Sequence, residues 1–355
     1  MTTRYSDDQL GEQLKLFVSA LMTARRAVMT EYRKVLRFSP TARTFHRRYE
    51  RLVALVDELK AALREQVLAR LSEEQGLLLA IFDDSPLHKA GRKFESESSQ
   101  YDHVKGCFYD GFTPTSLALY RNGKVGVIET TLAPSSKLDE CLCAFERLCE
   151  EHIAPDVFLF DAWYASTGLL AAIERLERVY ITRLKSNRLV LVGDEQVSLR
   201  SLAASATHDQ YAHVIVHGRS FWVIDTMLDV NGLGTRRVLI CKNGVFAAPV
   251  FLVTNSANFS TKFVIMLYQK RFAIEVFFKD AKQLLNFSTL QCRSAAKMDV
   301  HFVLVQITHW CAQRRGSISK TIRRIRDSVE EVTSYINENT LFKEFLDELS
   351  ARCQT

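Results

Sequence analysis

The sequence predicts an α/β protein: helices first, then buried strands alternating with helices, then a β-rich block, then helices again. Three observations carry this. Apolar residues return every three or four positions over residues 1–75, the helical period. Two short, continuous apolar runs, "GLLLAIFDDSP" from Gly76 and "DVFLFDAWYAS" from Asp156, read as strands buried on both faces. Each delivers an acid at or just past its C-terminal end, the sheet edge where ligand sites collect in α/β proteins. A tract from "RVYITRLK" to about residue 262 is then dominated by strand patterns.

In order, "LKLFVSALMTA" and "LVALVDELKAALREQVLARL" read as amphipathic helices. "FSPTAR", with Pro40 and hydroxyl residues, breaks the run between them. After the first buried strand, "VKGCFYDGF" and "TSLALYRNGKVGVIETT" read as antiparallel strands joined by hairpins, with Asn122-Gly123 as a tight turn. "SSKLDECLCAFERLCEEHI" reads as a helix capped by Ser135 or Ser136. "TGLLAAIERLE" is the helix after the second buried strand. "YAHVIVHG", "SFWVIDTML", "RRVLICKN" and "APVFLVTN" are strands of the β-rich block. "YQKRFAIEVFFKDAK", "DVHFVLVQITHWCAQ" and the charged C-terminal stretch from residue 317 to 349 read as helices.

A chain of 355 residues is long enough for two domains, or for one domain with a large insertion. Its 47% hydrophobic and 25% charged residues are ordinary for a soluble globular protein, and its apolar runs are too short to span a bilayer. The N-terminal residues carry early acids and no basic segment leading into an apolar core, so no signal peptide is read there and a cytoplasmic location is expected. Eight scattered cysteines include no CxxC pair or zinc-finger spacing, which predicts reduced thiols and no structural zinc.

Net charge is +6, but its distribution is more informative. Residues 25–51 hold nine Arg or Lys against Glu31 and Glu50. A second cluster comprises Arg314, Arg315, Lys320, Arg323, Arg324 and Arg326. Clustered cations suit a polyanion such as DNA or RNA, and serve equally as solvated helix faces.

Three acidic positions stand out: Asp83 or Asp84 after the first strand, Asp161 after the second, and Glu275 in "YQKRFAIEVFFKDAK". Singly, such acids are turn or cap residues. Brought together they repel unless a cation intervenes, and hard oxygen ligands suit Mg²⁺ or Mn²⁺. Two such ions can activate a water or hydroxyl and stabilise the leaving oxygen at a phosphodiester. Taken as one helix, Tyr268, Arg271, Glu275, Lys279 and Lys282 fall within an arc of roughly 80°. Ala273, Ile274, Phe277, Ala281 and Leu284 take the opposite, core side. That face offers a carboxylate among cations that can grip phosphates, or a salt-bridged surface.

The spacing Tyr268-x2-Arg271-x3-Glu275-x6-Lys282 resembles the YREK signature of bacterial insertion-sequence transposases, members of the DDE superfamily with an RNase H-like core. "IFDDSPLHKAG" is similar to that family's first-aspartate strand, with a later Lys-x-Gly. "FLFDAWYASTGLLAAIERLERVYITRLKSNR" is similar to its second-aspartate segment. The resemblance spans residues 77 to about 290. It implies an RNase H-like catalytic core at 76–180 and 263–312 and a β-rich insertion at 181–262. An N-terminal helical, DNA-binding part at 1–75 and a C-terminal helical segment at 313–355 complete the expected organisation.

The resemblance further implies that Asp83, Asp161 and Glu275 hold two Mg²⁺ or Mn²⁺ ions, with Asp84 the alternative to Asp83. Asp83 is preferred because Ser85 then sits where the family's Ser/Thr follows. Tyr268, Arg271 and Lys282 would contact terminal DNA phosphates. Lys279 shares the face, and Arg183, Lys185, Asn187 and Arg188 at the entrance of the insertion are further candidate DNA contacts. The implied activity is metal-dependent hydrolysis at the ends of a mobile element followed by 3′-hydroxyl strand transfer into target DNA. The implied partner is DNA, bound by a homodimer at the nucleoid, with no membrane. The C-terminal helix, through Ile322, Ile325, Val329, Val332 and Ile336, is a candidate dimer surface or part of the core. The alternatives are a nuclease of this fold without strand transfer, and a non-catalytic DNA-binding relative.

Overall fold

The computed structural model describes residues 7–354 except 26–28, 37–41, 89–97, 103–105, 133–135, 245–246, 291–293 and 314–317. Four helices come first: α1 (Asp7–Thr23), α2 (Met29–Val35), α3 (Ala42–Val53) and α4 (Val56–Ser72). The buried run after Gly76 forms β1 (Leu79–Asp84), followed by β2 (Leu87–His88), β3 (Ser98–Asp102) and β4 (Cys107–Phe112). The hairpin β5 (Pro114–Arg121) and β6 (Lys124–Leu132) turns on Asn122 and Gly123, whose φ values of 47° and 87° suit a tight two-residue turn. Next come α5 (Lys137–Glu150), β7 (Val157–Phe160), α6 (Thr167–Arg175) and β8 (Val179–Leu184). Ser136 caps α5, its Oγ accepting from the Leu138 amide; Ser135 lies outside the described residues.

The β-rich block comprises β9 (Leu189–Val192), β10 (Glu195–Ser198), the short α7 (Leu199–Ser205), β11 (Ala212–Val216), β12 (Arg219–Val230), β13 (Gly234–Lys242) and β14 (Val250–Thr254). The chain ends in α8 (Thr261–Gln269), α9 (Phe272–Leu284), α10 (Ala295–Ala312), α11 (Ile318–Ile325), α12 (Val329–Glu338) and α13 (Thr340–Gln354).

The main sheet runs β10-β9-β12-β13-β14-β8-β7-β1-β5-β6, with β11 beside β12. Its half β6-β5-β1-β7-β8 is an antiparallel meander of three strands with two strands added parallel to β1. This is the RNase H-like arrangement. The β-rich block does not fold as a separate sheet: β14 pairs antiparallel with β8 and extends the same one. Strand β8 belongs to the core pairing and runs to Leu184, past the expected boundary at 180. A second difference concerns "VKGCFYDGF". Its strand, β4, does not join the meander but pairs with β2 and β3 in a small three-stranded sheet.

Helices cover both faces. Phe82 of β1 packs edge-on to Phe145 of α5 at 5.9 Å. On the other side α10, buried along almost its whole length, lies on β6, where Gln306 Nε2 donates to the Val127 carbonyl at 3.2 Å. Helix α4 approaches β6 so closely that a Cβ on Gly126 would stand 2.4 Å from Val67 Cγ1. Gly126→Val should therefore cost about 1–3 kcal/mol of stability through overpacking. An unchanged urea midpoint would contradict that close approach.

The C-terminal stretch read as one helix is three, α11 to α13. Ile322, Ile325, Val332 and Ile336 are buried in the common core. These four pack on their own chain, while Val329 of the same stripe is half-buried. The N-terminal helices join the same core through Leu14, Phe17, Leu63 and Val67. Of the basic clusters, Arg25, Lys34, Arg43, Arg47, Arg51, Lys320, Arg323 and Arg324 are exposed, whereas Arg26, Arg37, Arg314 and Arg315 lie outside the described residues.

Candidate active site

Strand alternation turns the two adjacent aspartates to opposite faces of the sheet. In the parallel pair β1–β7, Ile81 stands opposite Leu159, so two residues further along Asp83 comes beside Asp161 on the same face. That face is the one α9 covers. Asp84 points to the opposite face. There it accepts from the Tyr164 hydroxyl at 2.6 Å and from Lys137 Nζ at 3.1 Å. Asp84 is thus occupied in fastening α5 and the loop after β7, while Asp83 faces the shared space with Asp161.

Asp161 is not the cap of α6; Ser166 is, its Oγ accepting from the Leu169 amide at 3.2 Å. Asp161 instead accepts from the Trp163 amide at 2.8 Å in the turn between them. The Thr182 hydroxyl donates to the carbonyls of Phe160 and Asp161 at 3.0 and 3.1 Å, fixing the end of β7 against β8.

Glu275 arrives from α9. Tyr268 does not share that helix, as the single-helix reading expected, but ends α8. Between them the amides of Lys270, Arg271, Ala273 and Ile274 each bond three residues back, a tight turn that offsets the two helices. Arg271, at this joint, is buried at 8% exposure instead of lying on a solvated face. Its guanidinium donates to Asp83 Oδ2 at 2.8 Å and to Glu275 Oε1 in a short contact. One arginine therefore ties the first aspartate to the glutamate. The expected core side holds for Ile274, Phe277, Ala281 and Leu284; Ala273 is only half-buried, and Phe278 and Asp280 are buried as well.

Burial pushes the Asp83 carboxyl up to about 7, helped by the nearby Asp84 and Asp161 charges and opposed by Arg271. Burial also pushes the Tyr268 hydroxyl up to about 12, with Arg271 and Arg183 opposing. The Tyr268 hydroxyl and Arg271 Nε make no well-formed hydrogen bond, but the two buried side chains are neighbours that interact with each other, the guanidinium lying 5.9 Å from the ring centroid.

Lys282 donates to the Pro86 carbonyl at 3.0 Å, which brings its cation to the loop leaving β1. Lys279 is exposed on α9 beside Asp280. Arg183 is exposed on β8, on the Tyr268 side of the site. Lys185, Asn187 and Arg188 are set further out, in a groove of about 430 Å³ that also takes in Trp163. Lys89 and Gly91, the expected Lys-x-Gly, lie outside the described residues. Sequence reasoning missed Lys137, whose ammonium also sits 4.1 Å from the Trp163 ring centroid, and gave Trp163 and Tyr164 no role. Only the Asp-x-Trp-Tyr string could have flagged the last two; nothing marks Lys137 beyond its place at a helix start.

Among the described residues no three His, Cys, Asp or Glu side chains lie close enough to form a ready metal cage. The donor set nevertheless fits a divalent cation. Asp83 and Asp161 are clustered hard oxygen ligands whose repulsion a cation would relieve, and Arg271 supplies positive charge between Asp83 and Glu275.

Fold and site together define an RNase H-like core carrying acids on adjacent strand ends and on a following helix. The chain belongs to the transposase DDE domain family, which matches residues 75–311 and so takes in Asp83, Asp161 and Glu275. No curated protein matches the chain. Among solved structures, the Drosophila P element transposase strand transfer complex is similar at 9% identity and a TM-score of 0.25, over 100% of this chain and 80% of that one. No helix among the described residues is long and apolar enough to cross a membrane.

Proposed function

We propose that this transposase binds the ends of its mobile element, hydrolyses the phosphodiester there, and joins the freed 3′-hydroxyl to target DNA. The carrying observation is the convergence of Asp83 and Asp161 on one face, with Glu275 tied to Asp83 through Arg271. Asp83, Asp161 and Glu275 would hold Mg²⁺ or Mn²⁺, two ions in the pattern the YREK resemblance implies. Bound there, such ions lower the pKa of an attacking water or hydroxyl and stabilise the leaving oxygen.

The chain's own residues supply the rest. Arg271 and Tyr268 bring buried donor groups to the site, and a DNA phosphate would be an acceptor for both. A phosphate would compete with Asp83 and Glu275 for the Arg271 guanidinium, freeing those carboxylates. Lys282, Arg183, Lys185 and Arg188 extend positive charge from the β1 loop to the insertion, a track for the backbone, and exposed Lys279 adds to it. The exposed cations of α2, α3 and α11 provide further sequence-independent attraction that salt would screen. The protein acts with the nucleoid in the cytoplasm, on paired DNA ends, as a homodimer.

The test is a joining assay. Purified protein, Mg²⁺, DNA carrying the element's ends and a supercoiled target plasmid should yield end–plasmid junctions. Asp161→Asn should abolish both cutting and joining. Cutting without joining would favour the nuclease reading, and Mg²⁺-independent binding with neither would favour a non-catalytic relative.

A further inference from the structure

Two neighbouring arginines tie the β-rich block to the helices of the core. Arg236 and Arg237 are adjacent on β13, so strand alternation turns them to opposite faces of the sheet. Arg236 grips Glu174 of α6 with two bonds, Nε to Oε1 at 2.9 Å and Nη2 to Oε2 at 2.7 Å. Arg237 grips Asp225 of β12 in the same way, Nε to Oδ1 at 2.8 Å and Nη2 to Oδ2 at 2.6 Å. The second pair does more than close the β12–β13 hairpin. Asp225 Oδ2 also accepts from the hydroxyl of Thr261, the first residue of α8, at 2.6 Å. Arg237 Nη1 donates to the carbonyl of Ser256 at 3.3 Å and, in a short contact, to that of Phe259, both in the loop leading to that helix.

Helix α8 has nine residues, too few to hold its form and direction by its own hydrogen bonds. Burial of Val264, Ile265 and Leu267 fixes one side. Its N-terminal end is fixed by the Ser260 cap, whose Oγ accepts from the Phe263 amide at 3.2 Å, and by the Asp225–Arg237 clamp on Thr261. Near its other end stands Tyr268, roughly 10 Å from Thr261 at about 1.5 Å per residue. Over that length a tilt of about 5° moves the far end by about 1 Å. A misplacement of about that size can cost on the order of a hundredfold in rate at a reacting centre. Arg271, just beyond, is held independently by Asp83 and Glu275, so Tyr268 is the side chain that depends on the direction of α8.

We propose that Asp225, Arg237 and Thr261 are positioning residues for Tyr268: the β-rich block aims α8, and through it the tyrosine hydroxyl, at the phosphate to be cut. This rests on the DNA-transposase reading above and gives the β-rich block a part in the chemistry beyond carrying cations. The three residues bond to one another and to the loop before α8, and act on the site only through that helix. What the clamp supplies is geometry. A guanidinium bonded to a carboxylate through two nitrogens fixes orientation, which a lysine point charge does not. The Arg236–Glu174 pair is built alike but fastens α6, and so serves as the internal comparison.

The test is a double-mutant cycle on the full chain with a duplex carrying its element's end. Single-turnover cleavage with Mg²⁺ and anisotropy titration with Ca²⁺ separate rate from binding. Asp225→Asn and Arg237→Lys should each lower the cleavage rate about tenfold or more and change affinity by no more than about twofold. Tyr268→Phe should lower the rate as well, and adding Asp225→Asn to it should lower it no further. Thr261→Val removes only the hydroxyl bond. It should show a smaller loss with the same dependence on Tyr268, and it carries the test if Asp225→Asn does not fold. Any loss from Arg236→Ala, which frees α6, should multiply with that of Tyr268→Phe. Unchanged cleavage in Asp225→Asn and Thr261→Val, or losses from them that multiply with that of Tyr268→Phe, would overturn the positioning role while leaving the transposase reading intact. A wild type that cuts no end duplex would sink both.

Discussion

Asp83→Asn should abolish cleavage at DNA ends, by on the order of a thousandfold or more, as removal of a group that acts as a unit with others does. Asp84→Asn, one residue away, should leave cleavage measurable and lower stability instead. The two carboxylates lie on opposite faces of β1. Asp83 faces Asp161 and is bonded by Arg271 at 2.8 Å, whereas Asp84 accepts from Tyr164 at 2.6 Å and Lys137 at 3.1 Å. An amide at 84 keeps one acceptor for Tyr164 but loses the charge that Lys137 pairs with, a loss of about 1–3 kcal/mol. Cleavage rates and urea midpoints measured on both variants check this. Equal loss of cleavage in both would mean that the face assignment is wrong.

In metal-free protein, stability should fall as pH rises from about 4 to above 7, and Mg²⁺ should restore it at the alkaline end. The sign follows from Asp83, whose carboxyl is raised in the fold from its ordinary value to about 7. Between those limits the folded state holds a proton that the unfolded chain has lost, so folding binds protons and weakens as they become scarce. Below pH 4 both states are protonated and the penalty vanishes; above 7 it is fully present, on the order of a few kcal/mol. A cation between the carboxylates favours the ionised form and removes the penalty. Thermal melts at pH 5 and pH 8, with and without Mg²⁺, should show the larger metal-induced rise at pH 8, and Asp83→Asn should flatten both dependences. A metal effect of equal size at the two pH values would contradict the role given to Asp83.

Much of the fold is visible in local pattern because the core strands are buried on both faces. "LAIF" before Asp83 and "VFLF" before Asp161 have no polar alternation to confuse with a helix, and their neighbouring positions follow from right-handed parallel pairing. The Asn122-Gly123 turn is equally local. The small β2–β4–β3 sheet is not, because its pairing partners come from a segment with no strand periodicity of its own. The break between α8 and α9 is also hidden. Lys270 and Arg271 are good helix residues, and only their i→i−3 bonds offset Tyr268 from Glu275.

That Asp83 and Asp161 sit at or just past strand ends could be read from the sequence; that Asp83 and Asp84 turn to different partners could not. That Asp84 holds Tyr164 and Lys137 depends on α5 lying across the opposite face, a contact between residues 53 positions apart. Arg271 reads as a surface cation by helical spacing, yet it is buried because β1 and the helices around α9 close over it. Ile322, Ile325, Val332 and Ile336 show the reverse: an amphipathic stripe looks the same whether it meets a partner or its own core, and here it meets its own core.

The most direct measurement is a crystal of the protein bound to its element-end DNA and soaked in Mn²⁺, with anomalous scattering recorded. Manganese peaks are expected within bonding distance of Asp83 and Asp161, joined by Glu275, with Arg271 withdrawn onto a DNA phosphate. Manganese on Asp84, or none near Asp83 and Asp161 while Arg271 still bridges Asp83 and Glu275, would contradict it.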